Sequence, residues 1–145
     1  AGSIKNMTML ANCYAEATTV KISIITGKAI GPAYIALAGK NVGADFTYAW
    51  ESAVISPFSS LTAVEFLWHD KLKGASDVKA KRDELAEEYE KTLASAHTAA
   101  ELNCIDEIIT PEGTRATIIS ALDILSGKRV SKLPKKHNNI QRYDG

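Results

Sequence analysis

Hydrophobic and polar positions alternate along this chain with two periods, and the changes from one to the other mark its elements. Met7, Leu10, Ala11, Tyr14 and Ala15 recur at helical spacing, which places them on one face of a helix beginning near the capping residue Ser3. From Val20 to Thr26 the period shortens to two: Val20, Ile22 and Ile24 alternate with Lys21 and Ser23, the pattern of a β-branched strand. Gly27 and Gly31 punctuate the chain next, and the small apolar residues of Ala33 to Lys40 predict a short buried helix. Ala44–Trp50 and Ala53–Ser56 read as two further short strands. Pro57 then precedes an apolar helix through Val64, Phe66, Leu67 and Trp68. Ser76–Leu93 predicts a longer helix, with Val78, Leu85, Tyr89 and Leu93 as its apolar stripe and the i,i+4 pairs Lys79–Asp83 and Glu87–Lys91 on its wet side. Ala96–Asn103 reads as a short helix and Cys104–Ile109 as a strand. Thr110 and Pro111 then give a cap-then-proline start for a helix running through Ile118, Ile119, Leu122 and Leu125 to Gly127. Strands alternating with helices define an α/β fold. There are no internal repeats.

Composition narrows the class. At 145 residues, with 46% hydrophobic and 23% charged, the chain is long enough for one domain with its own core. We expect that domain to occupy residues 1–127, followed by a basic, extended tail over 128–145 that Pro134 interrupts. Lys and Arg number 17 and so do Asp and Glu, so no net field draws the chain to nucleic acid or to an anionic membrane. Lys21 and Lys28 interrupt the most hydrophobic stretch, which therefore falls short of the roughly 20 residues that span a bilayer. Ala1–Lys5 lacks a basic region leading into an apolar signal core. Cys13 and Cys104 are far apart in apolar sequence, without the spacing of a zinc or redox pair, which points to a reducing, cytoplasmic location.

Candidate chemistry is sparse. His69, His97 and His137 sit in unrelated segments, and none has a nucleophile context. Ser59 and Ser60 stand where a helix begins, which makes them caps. The acidic run Asp83–Glu90 is interleaved with Lys and Arg, the pattern of a solvated helix face rather than of a metal site. The basic run Lys132–Lys136 could meet phosphates or an acidic partner, and equally could be solvated. The most informative stretch is GKAIGPAYIAL, Gly27–Leu37. A glycine turn between strand and helix exposes backbone N–H groups at a helix start, and such donors can hold a developing oxyanion. Spacing alone favours the plainer reading, in which Gly27, Gly31 and Pro32 simply make a tight turn.

The order of segments resembles the carboxyl-terminal half of the carboxyltransferase subunits of biotin-dependent acyl-CoA carboxylases and decarboxylases. The resemblance is carried by YAEAT (14–18), VKISIITGKAIGPAYIAL (20–37), GADFTYAW (43–50), AVISP (53–57), AVEFLW (63–68), IDEIITPEGTR (105–115), LDILSGKR (122–129) and PKKHNNI (134–140). Each motif is weak alone. Their common order across most of the chain is specific.

The resemblance implies a crotonase-like spiral of ββα units in a single domain. It implies transfer of a carboxyl group between carboxybiotin and a short-chain acyl-CoA. It also implies a division of labour, in which the amino-terminal half holds the acyl-CoA and this half holds biotin, so that the chain looks like an excised domain or a split subunit. Gly31, Pro32, Ala33 and Tyr34 take the place of the family's Gly-Gly-Ala-Tyr run, whose amides at the second glycine and the alanine polarise the biotin carbonyl. Here the second glycine is Pro32, which has no N–H. Ile35 takes the position near the reacting acyl group. The implied cofactor is biotin carried on a partner, with no metal. The implied partners are the amino-terminal half, a biotin carboxyl carrier protein and acyl-CoA, in a homo- or hetero-oligomer, with neither nucleic acid nor direct membrane insertion. Two other readings compete: a noncatalytic crotonase-like assembly module, and a free-standing hydratase or isomerase, for which the chain offers neither a CoA pocket nor an acid or base.

Overall fold

A computed structural model describes residues 3–37 and 39–131. The Lys132–Lys136 run, His137 and the remainder of the expected tail lie outside the described residues, as does the side chain of Ser3. The helix α1 (Ser3–Glu16) leads into strand β1 (Ile22–Ile25), β2 (Lys28–Ile30) and the short helix α2 (Pro32–Ala36). A 3-10 turn at Lys40–Val42 precedes β3 (Phe46–Trp50), β4 (Val54–Ser56), α3 (Ser60–Leu67) and α4 (His69–Leu72). The chain then forms α5 (Val78–Lys91), α6 (Ala96–Glu101), β5 (Glu107–Ile109) and α7 (Thr114–Leu125).

The strands form two small parallel sheets, β1-β3-β5 and β2-β4. Ile22 pairs with Phe46 and Tyr48 with Glu107 in the first, and Lys28 with Val54 in the second. Each turn of chain therefore contributes one strand to each sheet and then a helix: β1, β2, α2 and again β3, β4, α3. This is the α/β architecture of stacked ββα units expected from the sequence. Strand β3 is central, and Thr47, Tyr48 and Ala49 are its buried residues. Ala49, Ala53, Ala96, Ala99 and Ile105 pack where β3 and α6 meet, while Tyr48, Ile109 and Ala121 join β3, β5 and α7. Leu85, Ala86 and Tyr89 of α5 pack on Ala63 and Val64 of α3. Small residues dominate these contacts because the layers approach closely, and close packing gives each methylene energetic weight.

A carboxylate repeats at the entry of successive strands. Asp45 donates its own N–H to the Lys21 carbonyl at 2.8 Å, and its Oδ2 accepts the Lys21 N–H at 2.7 Å. Asp106 does the same one strand later, donating to the Thr47 carbonyl at 2.7 Å and accepting the Thr47 N–H at 2.8 Å. Each aspartate thus extends the ladder beyond the strand ends with a side-chain rung. A lysine neutralises each one: Lys128 lies 2.8 Å from Asp45 and Lys40 lies 2.7 Å from Asp106. The Lys21 ammonium turns back to the carbonyls of Tyr14, at 2.7 Å, and Ala17, at 3.2 Å, closing the C-terminal end of α1 with the charge that its dipole favours.

Several boundaries differ from those read in the sequence. Lys28–Ile30, taken as part of a glycine turn, is a strand. It is too short for a periodic signal and exists because Val54–Ser56 supplies its partner. Helix α2 starts at Pro32 rather than Ala33 and ends before the 3-10 turn, because the donorless proline is suited to a first helical position. Trp68, with φ −121° and ψ 24°, separates α3 from α4. Strand β5 is shorter than Cys104–Ile109. Thr110 closes a turn instead of capping a helix, accepting the Gly113 N–H at 3.1 Å, and α7 begins at Thr114. Helix α5 stops at Lys91, short of Leu93; the expected stripe ends Val78 and Leu93 are 47% and 50% exposed, and the packed face is Leu85, Ala86 and Tyr89. Glu87 pairs with Lys91 at 3.4 Å as expected, whereas in the first turns Lys81 reaches Glu84 at 2.9 Å. No helix among the described residues is long and apolar enough to cross a membrane.

The Asp45 clamp makes a pH-dependent contribution to stability. Burial works to raise the Asp45 carboxyl, but the hydrogen bonds from Lys128 and the Lys21 N–H, together with both lysine charges, outweigh it and hold the group below its ordinary value. A depressed carboxylate stabilises the fold above its unfolded pKa, about 3.9, and that contribution disappears as pH falls through the folded value. In urea titrations at pH 7, Asp45→Asn and Lys128→Ala are each expected to cost about 1–3 kcal/mol. Between pH 5 and pH 2, Asp45→Asn should lose less stability than the parent chain.

Candidate functional site

The site grows from the junction of β2 and α2. At Gly31 the backbone takes φ 57° and ψ −127°, a combination open in practice only to glycine. A Cβ there would also sit 3.1 Å from the Pro57 carbonyl oxygen. The reason for this turn is the sheet: the Gly31 N–H donates to the Ser56 carbonyl at 2.7 Å, the last rung between β2 and β4. The chain must then reverse direction at once to enter α2, and Pro32 at the first helical position has its φ already set for that. Ala33 follows. With the Gly31 N–H committed to Ser56 and Pro32 without one, the amide of Ala33 is the N–H that the Gly31–Ala33 stretch can offer to a ligand.

Tyr34 secures the helix from its other side. Its hydroxyl donates to the Cys104 carbonyl in the segment before β5, and burial above all, with the carboxylate of Asp106 adding to it, raises its pKa above the ordinary phenol value. It is a neutral donor at physiological pH. Gly39 lies so close that an added Cβ would stand 2.6 Å from the Tyr34 carbonyl oxygen, which fixes how α2 returns towards β3. Ile35 points away from this region and is 54% exposed.

Ala33 and Tyr34 border an open cleft of about 740 Å³, lined also by the run Thr19–Ala29, by Tyr14 and by Leu37. Of the five residues singled out in the sequence, the structure brings Ala33 and Tyr34 to this cleft. Gly31 and Pro32 stand behind them as the turn, and Ile35 is turned outward. The remaining candidates are dispersed. His97 is on α6, 3.8 Å from Glu51, and His69 is exposed on α4. Ser59 caps α3 by accepting the Thr62 N–H at 3.2 Å. Ser60 donates to Glu90 at 2.9 Å. The acidic run on α5 is matched by cations, with Glu88 near Lys71 at 3.5 Å and Glu90 bound to Lys28 at 2.6 Å.

Sequence reasoning missed the Lys28–Glu90–Ser60 contact, which ties the start of β2 to α3 and α5. The Lys28 hydrogen bond, stronger than the opposing effect of burial, holds the Glu90 carboxyl below its usual range. It also missed the two aspartate clamps. No linear spacing could reveal these, because Lys28 and Glu90 are separated by 62 positions and Asp45 and Lys128 by 83.

Parallel ββα turns whose helix starts open on a cleft define the crotonase-like class of α/β proteins. Within that class the chain belongs to the carboxyl transferase domain family, whose model matches residues 1–140. It is 42% identical over 139 residues to a propionyl-CoA carboxylase carboxyltransferase subunit of Haloferax mediterranei, a match covering 96% of this chain and 27% of that protein. It is 37% identical over 140 residues to the methylmalonyl-CoA decarboxylase α subunit of Propionigenium modestum, again 96% of this chain and 27% of the relative. Among solved structures it superposes on the transcarboxylase 12S hexamer with methylmalonyl-CoA bound, with a TM-score of 0.83, 35% identity, and 96% and 27% of the two chains covered. The chain thus spans about a quarter of the length of these relatives.

Gly31→Ala tests the turn. The positive φ and the close Pro57 oxygen should together cost about 1–3 kcal/mol, seen as a lower urea midpoint. Gly27→Ala serves as the control, since a Cβ at Gly27 meets nothing within 4 Å.

Proposed function

We propose that the chain belongs to the carboxyl-terminal, biotin-side half of an acyl-CoA carboxyltransferase, which moves a carboxyl group between carboxybiotin and a short-chain acyl-CoA. The observation that carries this reading is the Gly31–Pro32–Ala33 turn at the edge of the cleft, in a chain that belongs to the carboxyl transferase domain family. Biotin, borne on a separate carrier protein, supplies the ureido nitrogen that bears the carboxyl group. This chain's part is to donate the Ala33 N–H to the biotin carbonyl oxygen, where negative charge develops, and to hold that donor still. A preorganised amide of this kind needs no ionisable side chain and no metal ligand, in keeping with the absence of catalytic acid, base or nucleophile from the residues around the turn. Gly31 sets the donor's direction. Tyr34, bonded to the Cys104 carbonyl, keeps α2 in place as one wall of the biotin site. Ile35, exposed on α2, is offered to a neighbouring polypeptide, where the reacting acyl group would lie.

The acyl-CoA site and the biotin carrier belong to partners in this reading, within an oligomer. Wide apolar exposure supports such neighbours: Phe66 is 83% exposed, Ile4 80%, Leu102 70% and Ile124 70%. Free Cys13 and Cys104 suit a reducing, cytoplasmic setting. A second reading, a noncatalytic assembly module, is favoured by one observation. The turn has only one uncommitted amide, because Pro32 has none and Ser56 takes that of Gly31.

Two experiments separate these readings. The chain is mixed with the part of the Haloferax mediterranei subunit outside the matched stretch and with a biotinylated carrier, and carboxyl transfer is measured. Ala33→Pro should lower the rate roughly a hundred- to a thousandfold, the usual effect of losing an oxyanion donor, while Pro32→Gly should raise it. An unchanged rate in both variants identifies the assembly module. By calorimetry, the chain alone should show no micromolar binding of acetyl-CoA or propionyl-CoA; clear binding would instead indicate a self-sufficient crotonase-like enzyme.

A further inference from the structure

The direction of the Ala33 amide depends on the turn at Gly31, and that turn is tied to the second sheet by the bond from the Gly31 N–H to the Ser56 carbonyl. What holds Ser56 therefore matters to the site. Ser56 is 5% exposed at the end of β4, and Pro57, whose carbonyl oxygen bounds the space beside Gly31, follows it directly. Its hydroxyl lies 2.8 Å from the hydroxyl of Tyr89 on α5 and accepts the Phe58 N–H at 3.2 Å. The side chain and the carbonyl of one buried serine thus join the turn to helix α5.

Helix α5 grips the second sheet with consecutive residues. The Tyr89 carbonyl accepts the Ala94 N–H at 3.0 Å, and the Ala94 carbonyl accepts the Ile55 N–H at 2.8 Å, so the backbone beside Ser56 is held as well. Glu90, next along the helix, binds Lys28 at the start of β2 at 2.6 Å. The Tyr89 ring has little freedom of its own: it is 5% exposed, packs with Val64 and Leu85, and stands edge-on to Trp68 with the ring centroids 6.0 Å apart. An aromatic body fixed in this way presents its hydroxyl at a fixed point. Neither Ser56 nor Tyr89 lines the cleft, so neither meets a molecule bound there.

We propose that Tyr89 is a positioning residue for the Ala33 donor: its hydroxyl anchors Ser56, Ser56 anchors Gly31, and the direction of the Ala33 N–H is thereby set from α5, outside the cleft. The inference rests on the reading of Ala33 as the oxyanion donor. Such a donor is effective only if its orientation is fixed before the charge develops. The ladder between β2 and β4 has three residue pairs, too few to hold its own last rung firmly. The hydroxyl pair supplies the missing constraint, because moving Ser56 out of place would leave two buried hydroxyls without each other, and buried polar groups are costly to strand. With Ser56 held, the Gly31 N–H meets its acceptor at a fixed place; with Ser56 loose, the turn and the amides after it can swing.

Tyr89→Phe keeps the ring, its packing on Trp68 and the backbone bonds through Ala94, and removes only the hydroxyl. In the chain alone, amide hydrogen exchange read by NMR should show the Gly31 amide of this variant exchanging roughly tenfold faster, the scale of one buried hydrogen bond acting on a local opening. The amide of Ala121, buried in α7, should be unchanged, whereas a merely structural role for Tyr89 would speed both amides together. In the mixture with the part of the Haloferax mediterranei subunit outside the matched stretch and the biotinylated carrier, kcat should fall roughly tenfold with KM for the acyl-CoA unchanged. Ser56→Ala should give the same two changes, and the double variant should lose no more than Ser56→Ala alone, because the two hydroxyls make one bond. A Gly31 amide as slow as the parent's in folded Tyr89→Phe and Ser56→Ala chains would overturn the proposal. A fast Gly31 amide with undiminished kcat, or losses that multiply in the double variant, would overturn it as well. An unchanged rate in Ala33→Pro beside a fast Gly31 amide in Tyr89→Phe would locate the failure in the assignment of the donor, and would overturn the positioning role along with it.

Discussion

Two aspartates hold the register on which everything else rests. A parallel strand pair has no hairpin to align it, so its register must come from side-chain burial and from what happens at the strand ends. Here Asp45 and Asp106 each grip the preceding strand by both its N–H and its C=O. A slip by one residue would break both bonds and strand a carboxylate beside a lysine it no longer faces. With β1, β3 and β5 aligned, the connections to β2 and β4 are aligned too, and with them the turn at Gly31. The ion pairs with Lys128 and Lys40 reduce what it costs to hold these charges away from water.

Much of this was legible in the sequence, and what was not legible shares a cause. The helices with long stripes and the two-residue alternation of Val20–Thr26 announce themselves because their signal is local. The α/β class followed from their order. The strand Lys28–Ile30 was invisible because three residues carry no period, and its conformation is imposed by Val54–Ser56 across the fold. The start of α7 was misjudged for a related reason: Thr110 does close a ring of hydrogen bonds, but to Gly113 and in a turn, and local residues alone do not distinguish a capped turn from a capped helix. The clamps and the Lys28–Glu90 contact join residues distant in the chain, so no spacing rule reaches them.

The candidate site divides along the same line. Gly31 and Pro32 were identifiable as a turn, and the helix start at Ala33 as a source of amides. That Ser56 takes the Gly31 amide could be seen only with the second sheet in place. The same holds for Tyr34, whose position in the chain suggests a ligand contact but whose hydroxyl is occupied by the Cys104 carbonyl. Its contribution is to hold one wall of the cleft upright.

The Gly31–Ser56 bond is the terminal rung of a ladder only three residues long. Short parallel ladders open from their ends, at free energies well below that of global unfolding. When this rung opens, Gly31 is released from its unusual φ and the direction of the next amides is lost, although both sheets and all the helices remain. The turn would then behave as a fuse: warming should silence any chemistry performed at Ala33 before circular dichroism registers a change, and cooling should restore it without the slow steps of refolding.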